Sequence, residues 1–168
     1  MAKRLQKKIG IIGFPMDLGA DRRGVDMGPS AIRYASLEQK IEKLGYKVTD
    51  FGDIDVGISE TQRISNPKLK YLPEIEKTSK ILSKKVENLL VRNYFPLIIG
   101  GDHATAIGSV AGIASYCRKK GKRLGIIWID AHADMNTEHT TPSGNIHGMP
   151  LAIALGLGNK RLTRIGGF

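Results

Sequence analysis

A set of short, unbroken apolar runs, each closed by glycine or acid and followed by a longer helix-forming stretch, constrains this chain more than any other feature. Residues 9–14 (IGIIGF), 46–51 (YKVTDF), 96–99 (PLII) and 124–129 (LGIIWI) have strand length and are rich in β-branched residues. Between them the apolar spacing turns helical. Ile32, Leu37, Ile41 and Leu44 predict one helix, with Pro29 in its first turn and Gly45 placed to end it in the left-handed conformation. Ile75, Ile81, Leu82, Val86, Leu89 and Leu90 gather on one side of a long helix over about 73–93. Ile107, Val110, Ala111 and Ala114 give a small-residue helix over 104–119 a sheet-facing side, and another apolar helix begins at Pro150. Strands alternating with helices predict an α/β fold of three layers, a parallel sheet whose two faces are both covered by helices.

In such sheets ligands bind beyond the carboxyl ends of the strands. Two of those ends carry chemistry: Gly100-Gly101-Asp102-His103, and Asp130-Ala131-His132-Ala133-Asp134. If the strand conformation persists through 130–134, then Asp130, His132 and Asp134 share a face, because alternate strand residues do. His103, at a neighbouring strand end, adds a fourth donor. Carboxylate oxygen with a minority of imidazole nitrogen and no thiolate favours manganese, with cobalt, nickel, iron and zinc as competitors. Burying several charges without a counterion is costly, so the joint pattern points to a metal site. Asp102 and the acids of "GDIDV" read instead as cap and turn residues.

Composition narrows the class further. With 41% hydrophobic and 25% charged residues the chain reads as globular, and no apolar run approaches membrane-spanning length. The single cysteine, Cys117, rules out an intramolecular disulfide framework and suits a reducing compartment, so cytoplasm is the expected location. The net charge of +10 would suit a nucleic-acid partner, but the basic residues fall in scattered groups (3–8, 68–70, 84–85, 118–123, 160–164) where exposed helix faces and ends are expected. Nucleic acid and membrane are both disfavoured as partners. The glycine-rich segment from Gly13 to Gly28 lacks the Gly-Lys-Ser/Thr ending of a phosphate loop and the dinucleotide spacing.

From "IGIIGFPMDLGADRRGVDMGPSAIR" through "PLIIGGDHATAIGS" to "IIWIDAHADMNTEHTTPSGNIHGMPLAIALG" the chain resembles the ureohydrolase family and, within it, the arginases. "GGDH" and "DAHAD" would also fit agmatinases; "DMNT" followed by "TPSGNIHGMP" is the part that looks like arginase. The resemblance implies that His103, Asp130 and Asp134 serve one manganese and His132 the other, with Asp130 bridging. Asn136, Thr141 and Ser143 would read the amino-acid end of the substrate, Asn145 would lie in the same recognition loop, and His147 matches a histidine considered a proton shuttle. An ordinary imidazole pKa of ~6.5 suits that role at neutral pH. The implied reaction is hydrolysis of L-arginine to L-ornithine and urea by metal-activated hydroxide, with His147 and Asp134 in the catalytic set.

The family pattern also has a second acidic motif, Ser-Phe-Asp-Xaa-Asp, and a later substrate-binding glutamate, and neither occurs in these 168 residues. Residues 1–168 are therefore expected to form the first part of a single larger domain, incomplete on its C-terminal side. Two divalent ions bring four positive charges against the two carboxylates of Asp130 and Asp134, so at most one manganese is expected to bind well and turnover to be impaired. The expected partners are L-arginine and either a second copy or a complementary chain. The alternative is a non-catalytic metal-binding or interaction fragment of the same fold.

Overall fold

The computed structural model describes residues 8–167. Most of the basic group at 3–8 lies outside the described residues. Three parallel strands, β1 (Lys8–Phe14), β2 (Lys47–Asp53) and β3 (Tyr94–Gly100), form one sheet in the order β2-β1-β3. The bounds of each strand fall within two residues of the run expected from sequence. β1 is central, and its alternation divides two cores: Ile12 and Phe14 join the large cluster on one face, while Ile11 packs with Ile41 and Ile99 on the other. Two helices, α3 (Leu72–Val91) and α4 (Thr105–Lys119), cover the first face through Ile75, Leu82, Val86, Leu89, Ile107 and Ala111, all buried. On the second face lie α1 (Gly28–Tyr34) and α2 (Leu37–Lys43). The three-layer parallel α/β architecture expected from the alternation is present.

The close packing of α3 on α4 has a local cause. Gly108 and Gly112 stand one turn apart on α4, where a Cβ would come within 2.7 Å of the Ser79 carbonyl oxygen and 2.5 Å of that of Ser83. Only hydrogen at these positions lets the two backbones approach so closely.

Two expectations fail. The single helix expected between Pro29 and Gly45 is two helices, because Ser36 takes a left-handed backbone (φ 63°) between them. Of its apolar positions Ile41 is buried, whereas Leu44 is 74% exposed. The second failure bears on function: residues 124–129, expected as a strand, pair with nothing in the described sheet. Ile127 and Ile129 are 90% and 93% exposed. An apolar run becomes a strand only when a neighbour completes its ladder, and no strand lies beside this run among the described residues.

Past this segment the chain returns to the body. A short 3₁₀ turn (Ile146–Gly148) leads into α5 (Pro150–Ala154), and α6 (Lys160–Thr163) follows. The buried side chains of Ile146, Met149, Ile153, Leu162 and Ile165 fasten this region to the large core. The segment before Ile146 is thus anchored to the body on its C-terminal side.

Candidate metal and substrate site

β3 ends at Gly100, and the turn after it aims His103 away from the sheet. The Asp102 carboxylate accepts hydrogen bonds from the backbone N–H groups of Ala20 (2.8 Å) and Ala104 (2.9 Å); it is not the helix cap expected from sequence, since the N-cap of α4 is Ala104, with no side-chain cap bond. Burial pushes the Asp102 carboxyl up to about 6, opposed by the N–H groups of Ala20, Ala104 and Gly19. His103 Nδ1 lies 2.9 Å from Asp130 Oδ2 and 2.6 Å from Asp134 Oδ2. One donor atom from each of His103, Asp130 and Asp134 falls within 4.8 Å of the others. The indole of Trp128 backs the His103 ring at 4.8 Å between centroids.

Three of the four expected donors therefore converge, but not by the strand rule. Residues 131 and 132 bend, and Asp134 takes a left-handed backbone (φ 50°), a conformation that aspartate tolerates better than most residues. Its carbonyl accepts the N–H groups of Leu151 (3.1 Å) and Ala152 (3.2 Å), so the start of α5 pins the kink. In consequence His132 stays out of the three-donor cluster: its side chain is 84% exposed and its Nδ1 lies 3.4 Å from the other Asp130 oxygen, Oδ1. The His132 N–H donates to Asp130 Oδ1 (2.7 Å), and this bond more than any other influence holds the Asp130 carboxyl below the usual range.

The donor set fits a divalent cation. Asp134 is 8% exposed, and its Oδ2 is buried without a hydrogen bond although an imidazole nitrogen stands beside it. Such an oxygen is expensive to bury unless a cation or donor satisfies it. Two carboxylate oxygens and one imidazole nitrogen at this spacing match a borderline-hard ion.

Beside the cluster opens a cavity of about 700 Å³, within the range of small-molecule sites. His103, His132 and Asp134 line it at one end, and Asn136, Thr141, Ser143, Asn145 and His147 line the rest. The loop between them organises itself: Thr141 Oγ1 accepts from Gly144 N (2.9 Å), Ser143 Oγ accepts from Asn145 N (3.2 Å), and Asn136 Oδ1 accepts from Thr140 Oγ1 (3.1 Å). Both hydroxyls keep their protons to donate, and the Asn136 amide is turned so that its NH₂ can donate too. Lys68 Nζ donates to the Thr141 carbonyl (3.0 Å) and Lys70 N to that of Gly144 (3.1 Å), so the segment before α3 braces the loop from outside. Burial lowers the pKa of His147, against the charge of Asp134.

Sequence reasoning missed Trp128 as a neighbour of His103, and the bracing by Lys68 and Lys70. Trp128 was read as strand interior. The lysines belong to a scattered basic group and carry no pattern that reveals a backbone partner 73 residues away.

Fold and site together define a parallel α/β protein with a carboxylate–imidazole cluster able to hold a cation, beside an open cavity lined by polar side chains. The model of the arginase family matches residues 7–167, and the chain belongs to that family. It is 49% identical to the arginase of Brevibacillus brevis over 98% of its own length and 53% of that protein's. The solved arginase of Bacillus caldovelox superposes with a TM-score of 0.89 at 50% identity, covering 97% of this chain and 54% of that one. An Entamoeba histolytica arginase solved in complex with L-ornithine gives a TM-score of 0.85 at 34% identity, covering 95% and 53%. The chain spans about half the length of the curated relatives it matches.

Proposed function

We propose that this chain carries the first metal-donor cluster and the amino-acid recognition loop of an arginase-type site for hydrolysis of L-arginine to L-ornithine and urea. The observation that carries the reading is the convergence of His103, Asp130 and Asp134 on one point beside a cavity that His103 and Asp134 line together with Asn136, Thr141 and Ser143. Manganese is the proposed ion, held by His103, Asp130 and Asp134, with His132 left to a second ion that this chain alone holds poorly. When bound, the metal would supply Lewis acidity and a water of lowered pKa.

The chain's own residues set the rest. The Thr141 and Ser143 hydroxyls and the Asn136 amide present neutral donors suited to an α-carboxylate, which fixes one end of the substrate. The carboxylates of Asp130 and Asp134 at the other end make the cavity attractive to a guanidinium, which stays protonated at any physiological pH. His147, on the cavity wall with its pKa lowered by burial, can take up a proton and return it to a leaving amine. Cytoplasmic residence fits this reading, and no helix among the described residues is long and apolar enough to cross a membrane.

The turnover expected of the chain alone is weak, because only two carboxylates face the cluster. Urea release from L-arginine with added manganese should stay far below that of a full-length arginase at equal concentration, and rise when a polypeptide matching the remaining half of the relatives is added. Full activity from the chain alone would refute the impairment; no urea in either arm would refute the assignment. A second reading, a non-catalytic metal-binding or interaction fragment, draws support from the outward His132 and the exposed Ile127 and Ile129. It predicts manganese binding without urea in both arms.

A further inference from the structure

One peptide group in the loop after β1 is hydrogen-bonded on both of its sides to the candidate site. The N–H of Ala20 donates to Asp102 Oδ2 at 2.8 Å, and the carbonyl of the same peptide, that of Gly19, accepts the N–H of His147 at 3.1 Å. The next carbonyl, Ala20, accepts from Asn145 Nδ2 at 2.8 Å. Asp102 precedes the metal donor His103, and its own N–H donates to the Met16 carbonyl at 2.7 Å. Gly19 is obligatory here: a Cβ would stand 2.7 Å from Asp102 Oδ1 and 2.6 Å from the Ala104 methyl. An uninterrupted chain of hydrogen bonds thus runs from the end of β3 through one peptide plane to His147, between segments far apart in sequence.

We propose that Asp102 is a positioning residue, which sets where His147 stands relative to the metal donors through the Gly19–Ala20 peptide. A carboxylate suits the task because both of its oxygens are engaged, Oδ1 by Ala104 N–H and Oδ2 by Ala20 N–H. An asparagine of the same shape has one acceptor oxygen and must turn its NH₂ toward one of the two N–H groups. Negative charge on Asp102 also polarises the peptide, strengthening the carbonyl's hold on the His147 N–H. The proposal rests on the reading of His103 and His147 as site residues, but its geometry exists without metal.

Amide hydrogen exchange on the isotope-labelled chain tests it, with manganese binding followed in the same samples by electron paramagnetic resonance. In the unmodified chain the amides of Ala20 and His147 should share one protection factor, and a scalar coupling across the hydrogen bond should link His147 nitrogen to the Gly19 carbonyl carbon. D102N should speed exchange at Ala20 and His147 by about tenfold, the worth of one ordinary hydrogen bond, and leave Leu82 and Val86 in α3 unchanged. G19A should give the same selective loss by pushing the loop off an intact carboxylate. Uniform acceleration would reduce Asp102 to a general stabiliser, and an unmoved His147 amide would overturn the proposal outright. Should neither variant fold, unequal protection or a missing coupling in the unmodified chain overturns it, and their joint presence supports it. Absence of manganese binding in the unmodified chain refutes the metal reading instead, whatever the amides do.

Discussion

Asp134 combines a left-handed backbone, a carbonyl that caps α5 and a buried carboxylate oxygen without a hydrogen bond. Each is unfavourable or demanding alone, and strain that persists at one residue is often kept for function. The variant D134G separates the contributions. It relieves the backbone and removes the buried charge, so without metal it should raise the unfolding free energy by about 1 kcal/mol. The same change should weaken manganese binding by more than about a hundredfold, the upper cost of losing even an outer partner of a metal ligand. Thermal melts with and without manganese check both signs; a fall in stability together with unchanged binding would refute the argument. The donors themselves were legible because acids and histidines at strand ends have few structural reasons to coexist. The outward turn of His132 was not, since it depends on a backbone bend that residue types do not announce.

Among the elements, the pairing of α3 with α4 and the tie between α1 and β2 make separate predictions. G108A or G112A should force apart two helices whose backbones now meet, at about 1–3 kcal/mol, the usual cost of overpacking. Urea denaturation should then show a lower midpoint with an unchanged slope. On the other face Arg33 bonds both oxygens of Asp50 (2.7 and 3.0 Å) and reaches Asp53 (2.6 Å). A bulge in β2, where Ile11 pairs with Asp50 but Gly13 with Asp53, gathers the two acids on one guanidinium. The Arg33 hydrogen bond, ahead of other influences, lowers the Asp50 pKa. Its stabilisation, about 1 kcal/mol for a partly exposed bidentate pair, is present above the unfolded aspartate pKa of about 3.9 and lost as pH falls through the lower folded value. The stability difference between the unmodified chain and D50N should therefore be flat from about pH 5 upward and vanish in acid. A difference that persists below the folded pKa would contradict the assignment.

β1, β2, β3, α3 and α4 were legible because each satisfies its periodicity with neighbours close at hand. The break at Ser36 turns on one residue's φ, which the spacing of Ile32, Leu37 and Ile41 does not encode. Residues 124–129 carry the signature of a buried strand as clearly as 96–99 do. The difference lies in partners, and a periodicity cannot state which ones stand beside it.

For the whole molecule, the consequence is apolar surface. Ile127 and Ile129 are almost fully exposed, Phe95 on β3 is 65% exposed, and an apolar cavity of about 420 Å³ opens between α4, α5, α6 and the start of the 124–129 run. Patches of this kind mark surfaces that associate. The chain should bind a hydrophobic dye such as anilinonaphthalene sulfonate in its native state, and I127K with I129K should cut that signal at least by half. If the proposed complementary half is added, the dye should be expelled together with the rise in urea release.

One stretch of backbone also sets the chain's vulnerability to enzymes. From Arg123 to Ala133 no backbone-to-backbone hydrogen bond is made among the described residues, and Lys122 and Arg123 are exposed at its head. Proteases read extended, unpaired backbone, so a trypsin-like enzyme should nick here before it opens α3 or α4. The two products would carry His103 on one piece and Asp130, Asp134 and His147 on the other. A single cut in this connecting segment would leave the sheet whole and the 146–165 region docked on the core, yet untether Asp130 from α4, so the donor cluster should be lost to proteolysis before the fold is.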